Sequence, residues 1–180
     1  TEVLPAAHRG AVKALYVVGE NPMVSDADIA HVEESLRHLD FLVVQEKQAG
    51  LNRLRVRSFA DGRWKEVAFP EPIYTAYSSG TPEFGSKLLR YGYQSLVTPP
   101  SVYDFDMAAG TSTLLKRDEV LGGFDPARYA SERLWATARD GVKVPISIVY
   151  PKGFARDGKA PLWLYAYGSY GLPGHVAFNS

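Results

Sequence analysis

The sequence contains no cysteine, and its 20 basic residues are balanced by 20 acidic ones. Without cysteine the chain can form neither a disulfide framework nor a thiolate metal site, which fits a reducing compartment such as the cytoplasm. The zero net charge provides no overall field that would attract nucleic acid or an anionic membrane. No apolar run approaches the roughly 20 residues that span a bilayer. We therefore expect a cytoplasmic protein with no nucleic-acid or membrane partner.

An initiator methionine and a signal peptide are also missing from the start of the sequence. Residues 1–5 provide neither the basic region nor the apolar region of a secretory signal. We interpret the chain as a fragment of a longer protein.

What is present is a pattern of short strand-like runs separated by turn residues. With 46% hydrophobic residues the chain can bury a core. Turns are predicted at Gln48-Ala-Gly50, Asp61-Gly62 and Ala108-Ala-Gly110, at a spacing typical of antiparallel sandwiches or propeller blades. One exception is the segment 25–37, which predicts a short helix or a long connection. The clearest strand-like runs are 14–18, 41–45, 51–57, 64–68, 87–93 and 101–106.

The pattern changes at Leu121-Gly-Gly-Phe-Asp-Pro126, where paired glycines and a proline predict a hinge. We place a domain boundary there, between residues 1–120 and 121–180. Downstream, the runs 131–138 and 144–150 predict a hairpin that turns at Asp140-Gly141. The run 161–167 is apolar on both faces, which predicts a central strand covered on both sides, as in an α/β sheet.

The chemistry of the chain is suggested by the loop Tyr167-Gly-Ser-Tyr-Gly171 that follows this run. Glycines allow the backbone to pass close to a ligand, and hydroxyls beside them can donate hydrogen bonds to the oxyanion of an acyl-transfer reaction. An aromatic strand followed by a glycine turn is also ordinary β-protein sequence. The loop alone leaves both interpretations open.

The residues around the loop resemble the prolyl oligopeptidase family of serine peptidases, and within it the branch that cleaves after arginine or lysine. The resemblance runs through residues 131–150 and 160–171, and upstream through 42–51, 89–95 with Thr98-Pro99, and 115–125. It implies a mainly β chain made of late β-propeller blades in 1–120, followed by the first strands of an α/β-hydrolase domain in 121–180. It also implies short basic peptides as substrates of the whole enzyme, and no cofactor.

By motif position, the resemblance assigns Tyr167 to the oxyanion hole and Tyr170 to substrate binding near the primary specificity pocket. Ala166 stands where the family usually has glycine. The nucleophile motif Gly-x-Ser-x-Gly is missing, because Ser169 directly follows Gly168. The resemblance implies that the nucleophile, acid and histidine lie beyond Ser180. We therefore expect the isolated chain to be inactive.

Other polar groups have simpler interpretations. His31, Glu34 and His38 fall at helical spacing on one face, but no fourth ligand accompanies them and we predict no metal site. His175 is expected to be a surface histidine, because it precedes any nucleophile. The alternating Arg53, Arg55 and Arg57 predict a solvated strand face. Tyr91 and Tyr93 are expected to pack at the edge of the core.

A different class of function also fits these patterns. The chain could be a freestanding β-rich module that binds peptides or proteins. In either case, incomplete sheets leave strand edges open, and we expect self-association through them.

Overall fold

The computed structural model describes residues 3–11, 14–17, 29–80, 83, 85–168, 170 and 176–179. These residues are mainly β, as the sequence predicted. None of their helices is long and apolar enough to cross a membrane. The helices are α1 (Val3–His8) and α2 (Ile29–Arg37), and the strands are β1 (Ala14–Val17), β2 (Phe41–Gln48), β3 (Leu51–Ser58), β4 (Trp64–Glu66), β5 (Tyr74–Ser78), β6 (Leu88–Ser95), β7 (Ser101–Asp106), β8 (Thr111–Arg117), β9 (Tyr129–Thr137) and β10 (Lys143–Pro151).

The first sheet has the order β1-β2-β3-β4. Strands β2, β3 and β4 are antiparallel, but β1 pairs with β2 in parallel, with Ala14 opposite Phe41. This corrects the prediction of a wholly antiparallel arrangement. The physical reason is the connection: α2 lies between β1 and β2 in the chain, and a crossover of this kind returns the chain in the same direction.

The second sheet is an antiparallel meander with the order β5-β6-β7-β8. Each strand pairs with the next one along the chain, and β7 carries a register shift between Val102 and Tyr103. Four antiparallel strands joined in sequence are the unit from which propeller blades are built.

The core lies between the two sheets. Strand alternation directs Phe41 and Val43 of β2 inward together with Leu54 and Val56 of β3. The second sheet contributes Ala76, Leu89, Tyr91, Tyr93 and Phe105 to the same cluster. Tyr91 and Tyr93 are therefore more deeply buried than the core-edge packing that the sequence predicted.

The turn between β2 and β3 consists of two residues, Ala49 and Gly50. Both have positive φ, 50° and 80°, and Gln48 pairs with Leu51 directly across the turn. Two positive φ angles are the requirement of a type I′ hairpin turn. The predicted turns at 48–50, 61–62 and 108–110 are confirmed, each with a glycine at positive φ.

The predicted hairpin in 131–150 is confirmed as β9 and β10, with the turn at Asp140-Gly141. Gly141 has φ 86°, and the Asp140 carboxylate accepts a hydrogen bond from the Val142 amide at 3.1 Å. The hinge region before it contains Gly122 and Gly123, both at φ 86°, followed by a 3₁₀ turn (Pro126–Arg128) that the Asp125 side chain caps.

The strand predicted for residues 161–167 does not form. Residues 161–168 have no strand partner among the described residues, and Trp163 is 90% exposed. An apolar run becomes a central strand only when strands pair on both sides and other layers cover its faces. The α/β-hydrolase sheet predicted for 121–180 is therefore not seen in the described part of this region, where the ordered sheet is the β9–β10 hairpin.

Candidate functional site

The two tyrosines that the sequence singled out lie in the segment after β10, outside any strand. Tyr167 is 48% exposed and Tyr170 is 92% exposed. Ser169 and Gly171 of the same loop lie outside the described residues, as does His175. Both tyrosine side chains therefore present their surface to solvent in this chain, and a hydroxyl in that position can donate a hydrogen bond to a group that approaches from outside.

Tyr170 has φ 57°, in the left-handed region of the backbone map. This conformation is uncommon for residues other than glycine and costs about 1–3 kcal/mol, and such residues concentrate at functional sites. The strained backbone at this position fits a loop that serves a functional site.

Downstream of the loop, the chain is anchored on the second sheet. The Thr75 hydroxyl donates to the Val176 carbonyl at 2.7 Å, and the Phe178 amide donates to the Gln94 side-chain oxygen at 3.1 Å. Thr75 and Gln94 are directly opposite each other on β5 and β6. The Phe178 ring also packs edge-on against Phe124, with centroids 5.0 Å apart. The candidate loop is thereby tied to the propeller-type sheet.

An open cavity of about 410 Å³ lies beside this anchor. It forms where the chain leaving β8 passes the turn between β6 and β7, and the Asp118 amide donates to the Pro100 carbonyl at 2.8 Å. Asp118 and Glu119 give the wall a negative character, although Asp118 also pairs with Lys116 at 3.3 Å. The sequence pattern did not predict this cavity, because it depends on the position of Phe178. Its lining residues are Pro99, Pro100, Asp118, Glu119, Val120, Leu121, Phe178 and Asn179.

Two of the three arginines on β3 are paired with acids. Arg53 donates from Nε to Glu66 at 2.6 Å, and this hydrogen bond lowers the pKa of Glu66. Arg55 lies 3.4 Å from Glu46 and stacks over the Trp64 ring at 4.4 Å from its centroid. Trp64 was not identified as a neighbour from the sequence, since it is brought there by the pairing of β4 with β3. The acids offset the charge of these two arginines.

Of the three residues that the sequence placed on one helical face, Glu34 and His38 lie close to a histidine that was not predicted, His8 of α1. Ligand atoms of Glu34 and His38 lie within 4.8 Å of each other and of the His8 imidazole at the end of α1. His31, the other predicted member, instead places its ring 5.7 Å from that of His8. His8 was missed because the contact between α1 and α2 leaves no local signal in the sequence.

Comparison with known proteins shows which proteins this chain is similar to. Residues 22–118 match the family described as prolyl oligopeptidase, N-terminal beta-propeller domain. The chain is 46% identical over 132 residues to dipeptidyl aminopeptidase BI of Pseudoxanthomonas mexicana, covering 73% of the chain and 18% of that protein. It is 33% identical over 149 residues to protease 2 of Moraxella lacunata, covering 83% of the chain and 21% of that protein.

Among solved structures, oligopeptidase B from Trypanosoma brucei, in a closed form with covalently bound antipain, aligns with a TM-score of 0.68 and 36% identity. That alignment covers 78% of the chain and 21% of the trypanosomal enzyme. The chain thus spans about a fifth of the length of the relatives it matches. Because the family match covers more than half of the chain, the chain belongs to the prolyl oligopeptidase family of serine peptidases and carries part of its β-propeller domain.

Proposed function

We propose that this chain is part of a serine oligopeptidase that hydrolyses short peptides after arginine or lysine. The observation that carries the proposal is the loop Tyr167-Gly168-Ser169-Tyr170-Gly171, in a chain of this family whose relatives include protease 2 and oligopeptidase B. In the whole enzyme, Tyr167 donates its hydroxyl to the oxyanion, and Tyr170 lines the substrate site. The triad of serine, aspartate and histidine comes from outside this chain.

The oxyanion role is tested in the full-length enzyme with Tyr167→Phe. Loss of one oxyanion donor typically lowers kcat by about 10²–10³. We expect that loss with little change in KM, because the interaction is made in the transition state. Tyr165→Phe is the matched control, since Tyr165 lies on the same exposed segment. Equal effects of the two substitutions, or unchanged turnover for Tyr167→Phe, would remove Tyr167 from the mechanism.

The isolated chain is expected to be inactive, because it lacks the Gly-x-Ser-x-Gly motif of hydrolase nucleophiles. Incubation with a serine-reactive phosphonate, followed by intact mass measurement, should show no adduct. An adduct on Ser169 would refute this expectation.

A second specificity is favoured by one observation, the 46% identity to a dipeptidyl aminopeptidase. Such an enzyme releases dipeptides from a free amino terminus, whereas an oligopeptidase accepts blocked peptides. The two specificities are distinguished with a pair of dipeptidyl amide substrates that end in arginine, one with a free and one with a blocked amino terminus. Hydrolysis of the blocked substrate supports the oligopeptidase, and hydrolysis confined to the free dipeptidyl substrate supports the aminopeptidase.

A further inference from the structure

His8, Glu34 and His38 form a cluster on the surface of the two helices. His8 is the last residue of α1, Glu34 lies within α2, and His38 follows the end of α2 directly. Their three candidate ligand atoms all lie within 4.8 Å of one another, and all three side chains are exposed to solvent. The cluster lies far in the sequence from the loop of residues 167–171.

The packing beneath the cluster explains why these residues meet. Ala7 and Leu39 are 2% and 3% exposed and form a small core with Ala6 and Leu36. Ala7 immediately precedes His8, and Leu39 immediately follows His38, so their burial positions both imidazoles at the same junction. Glu34 and His38 are four residues apart, and this spacing puts their side chains on one face.

The neighbouring charges leave the cluster accessible. Arg37 could neutralise an acid of α2, but it pairs with Glu33 at 2.5 Å. The rings of His8 and His38 meet edge to face with centroids 5.5 Å apart, and the centroid of the His31 ring lies 5.7 Å from that of His8. Three imidazoles and a carboxylate therefore share a small region.

Two imidazole nitrogens and one carboxylate oxygen are a donor set that suits zinc and similar divalent ions. Bonds of about 2.0–2.2 Å in tetrahedral geometry bring ligand atoms to roughly 3.4 Å from each other. Rotations of exposed side chains can close the present separations to that value. Three protein ligands leave one position for water.

We propose that His8, Glu34 and His38 bind a divalent transition metal ion of the zinc type, which ties α1 to α2. Helix α1 has only six residues, and a helix of that length is marginal unless something outside it holds it. An ion that binds the folded state and not the unfolded chain stabilises the fold by mass action. The site is independent of the peptidase function proposed above.

The experiment uses this chain carrying a tag without histidine and freed of metal with a chelator. Co²⁺ is added as a spectroscopic probe, and Zn²⁺ affinity is measured by competition against it. We expect one Co²⁺ per chain with the visible absorption of a low-coordinate site. His8→Ala, Glu34→Gln and His38→Ala should each weaken the affinity at least about tenfold.

The matched controls are Glu33→Gln, which changes the neighbouring acid paired with Arg37, and His175→Ala, which changes the histidine remote from the cluster in sequence. Both should bind as the parent does. Zn²⁺ should also raise the melting temperature of the parent and of both controls, but not of Glu34→Gln, whose melting in chelator should equal that of the parent. Absence of the Co²⁺ spectrum, or equal losses in the controls and the cluster variants, would overturn the proposal.

Discussion

Gly92 in the middle of β6 provides a sharp test of how the second sheet is packed. It lies directly opposite Tyr77 of β5, and the tyrosine ring covers the glycine. A Cβ atom added at Gly92 would lie 2.4 Å from Cζ of Tyr77 and 2.7 Å from its hydroxyl oxygen. Contacts this short cannot persist, so Gly92→Ala must displace the ring or the strand.

The sign of the effect follows from two opposing terms. Replacing a strand glycine by alanine stabilises by about 0.5–1 kcal/mol, because less backbone entropy is lost on folding. Overpacking costs about 1–3 kcal/mol. The Tyr77 ring is 48% exposed and can swing outward, which favours the lower part of that range. We expect Gly92→Ala to lower the free energy of unfolding by about 0.5–2 kcal/mol.

A double-mutant cycle separates the two terms. In a Tyr77→Ala background the clash is gone, and Gly92→Ala should stabilise by about 0.5–1 kcal/mol. The interaction energy between the two positions should then be about 1–3 kcal/mol. Urea unfolding of the four proteins, followed by circular dichroism, measures each value. If Gly92→Ala has the same effect in both backgrounds, the ring does not cover the glycine and the reasoning is wrong.

The remaining predictions concern an ion pair, a turn and the anchor. Arg90 donates two hydrogen bonds to Asp104, at 2.8 and 2.9 Å, and lowers the pKa of Asp104 from its usual 3.8. A carboxyl whose pKa is lower in the folded than in the unfolded state stabilises the fold at pH values above its unfolded pKa. That stabilisation is lost as the pH falls through its folded pKa. The stability difference between the parent and Asp104→Asn should therefore be constant near neutral pH and shrink below about pH 4 in denaturant titrations. Asp118→Asn, in an exposed pair, should change little at any pH. Gly50 and Gly62 both have positive φ, but only at Gly50 would an added Cβ clash, with the Arg133 guanidinium at 2.7 Å. Gly50→Ala should therefore lower the free energy of unfolding more than Gly62→Ala. Equal losses of that free energy in urea unfolding would contradict this. Thr75→Val should increase hydrogen exchange at residues 176–179, since it removes the bond to Val176, whereas Thr113→Val should not.

Local signals were sufficient for most of the β structure. The turns at Gly50, Gly62 and Gly110 were predictable because tight hairpins demand positive φ, and glycine supplies it. Strand β5 was missed, since its five residues follow a proline-containing loop without clear alternation. Strand β8 was missed because all seven of its side chains are exposed, so it has no apolar face to detect.

The candidate site was harder to predict from the sequence than the strands were. The role assigned to Tyr167 came from the resemblance to a family. The pattern of the run 161–167 itself predicted a strand, which does not form here. Apolarity reports the burial that a segment requires, and not whether the partners that bury it are present. The meeting of His8 with Glu34 and His38 depends on how two helices pack, which no spacing within either helix encodes.

The contact between Arg133 and Ala49 has a consequence for folding. The Arg133 guanidinium of β9 donates to the Ala49 carbonyl in the β2–β3 turn, and to Ser147 of β10 at 3.0 Å. The hairpin contacts are local, whereas the bond to Ala49 joins residues 84 positions apart. Closing a long loop costs entropy before any contact compensates for it. We therefore expect the hairpin to form early and to settle against the first sheet late, so that Arg133→Lys speeds unfolding more than it slows refolding.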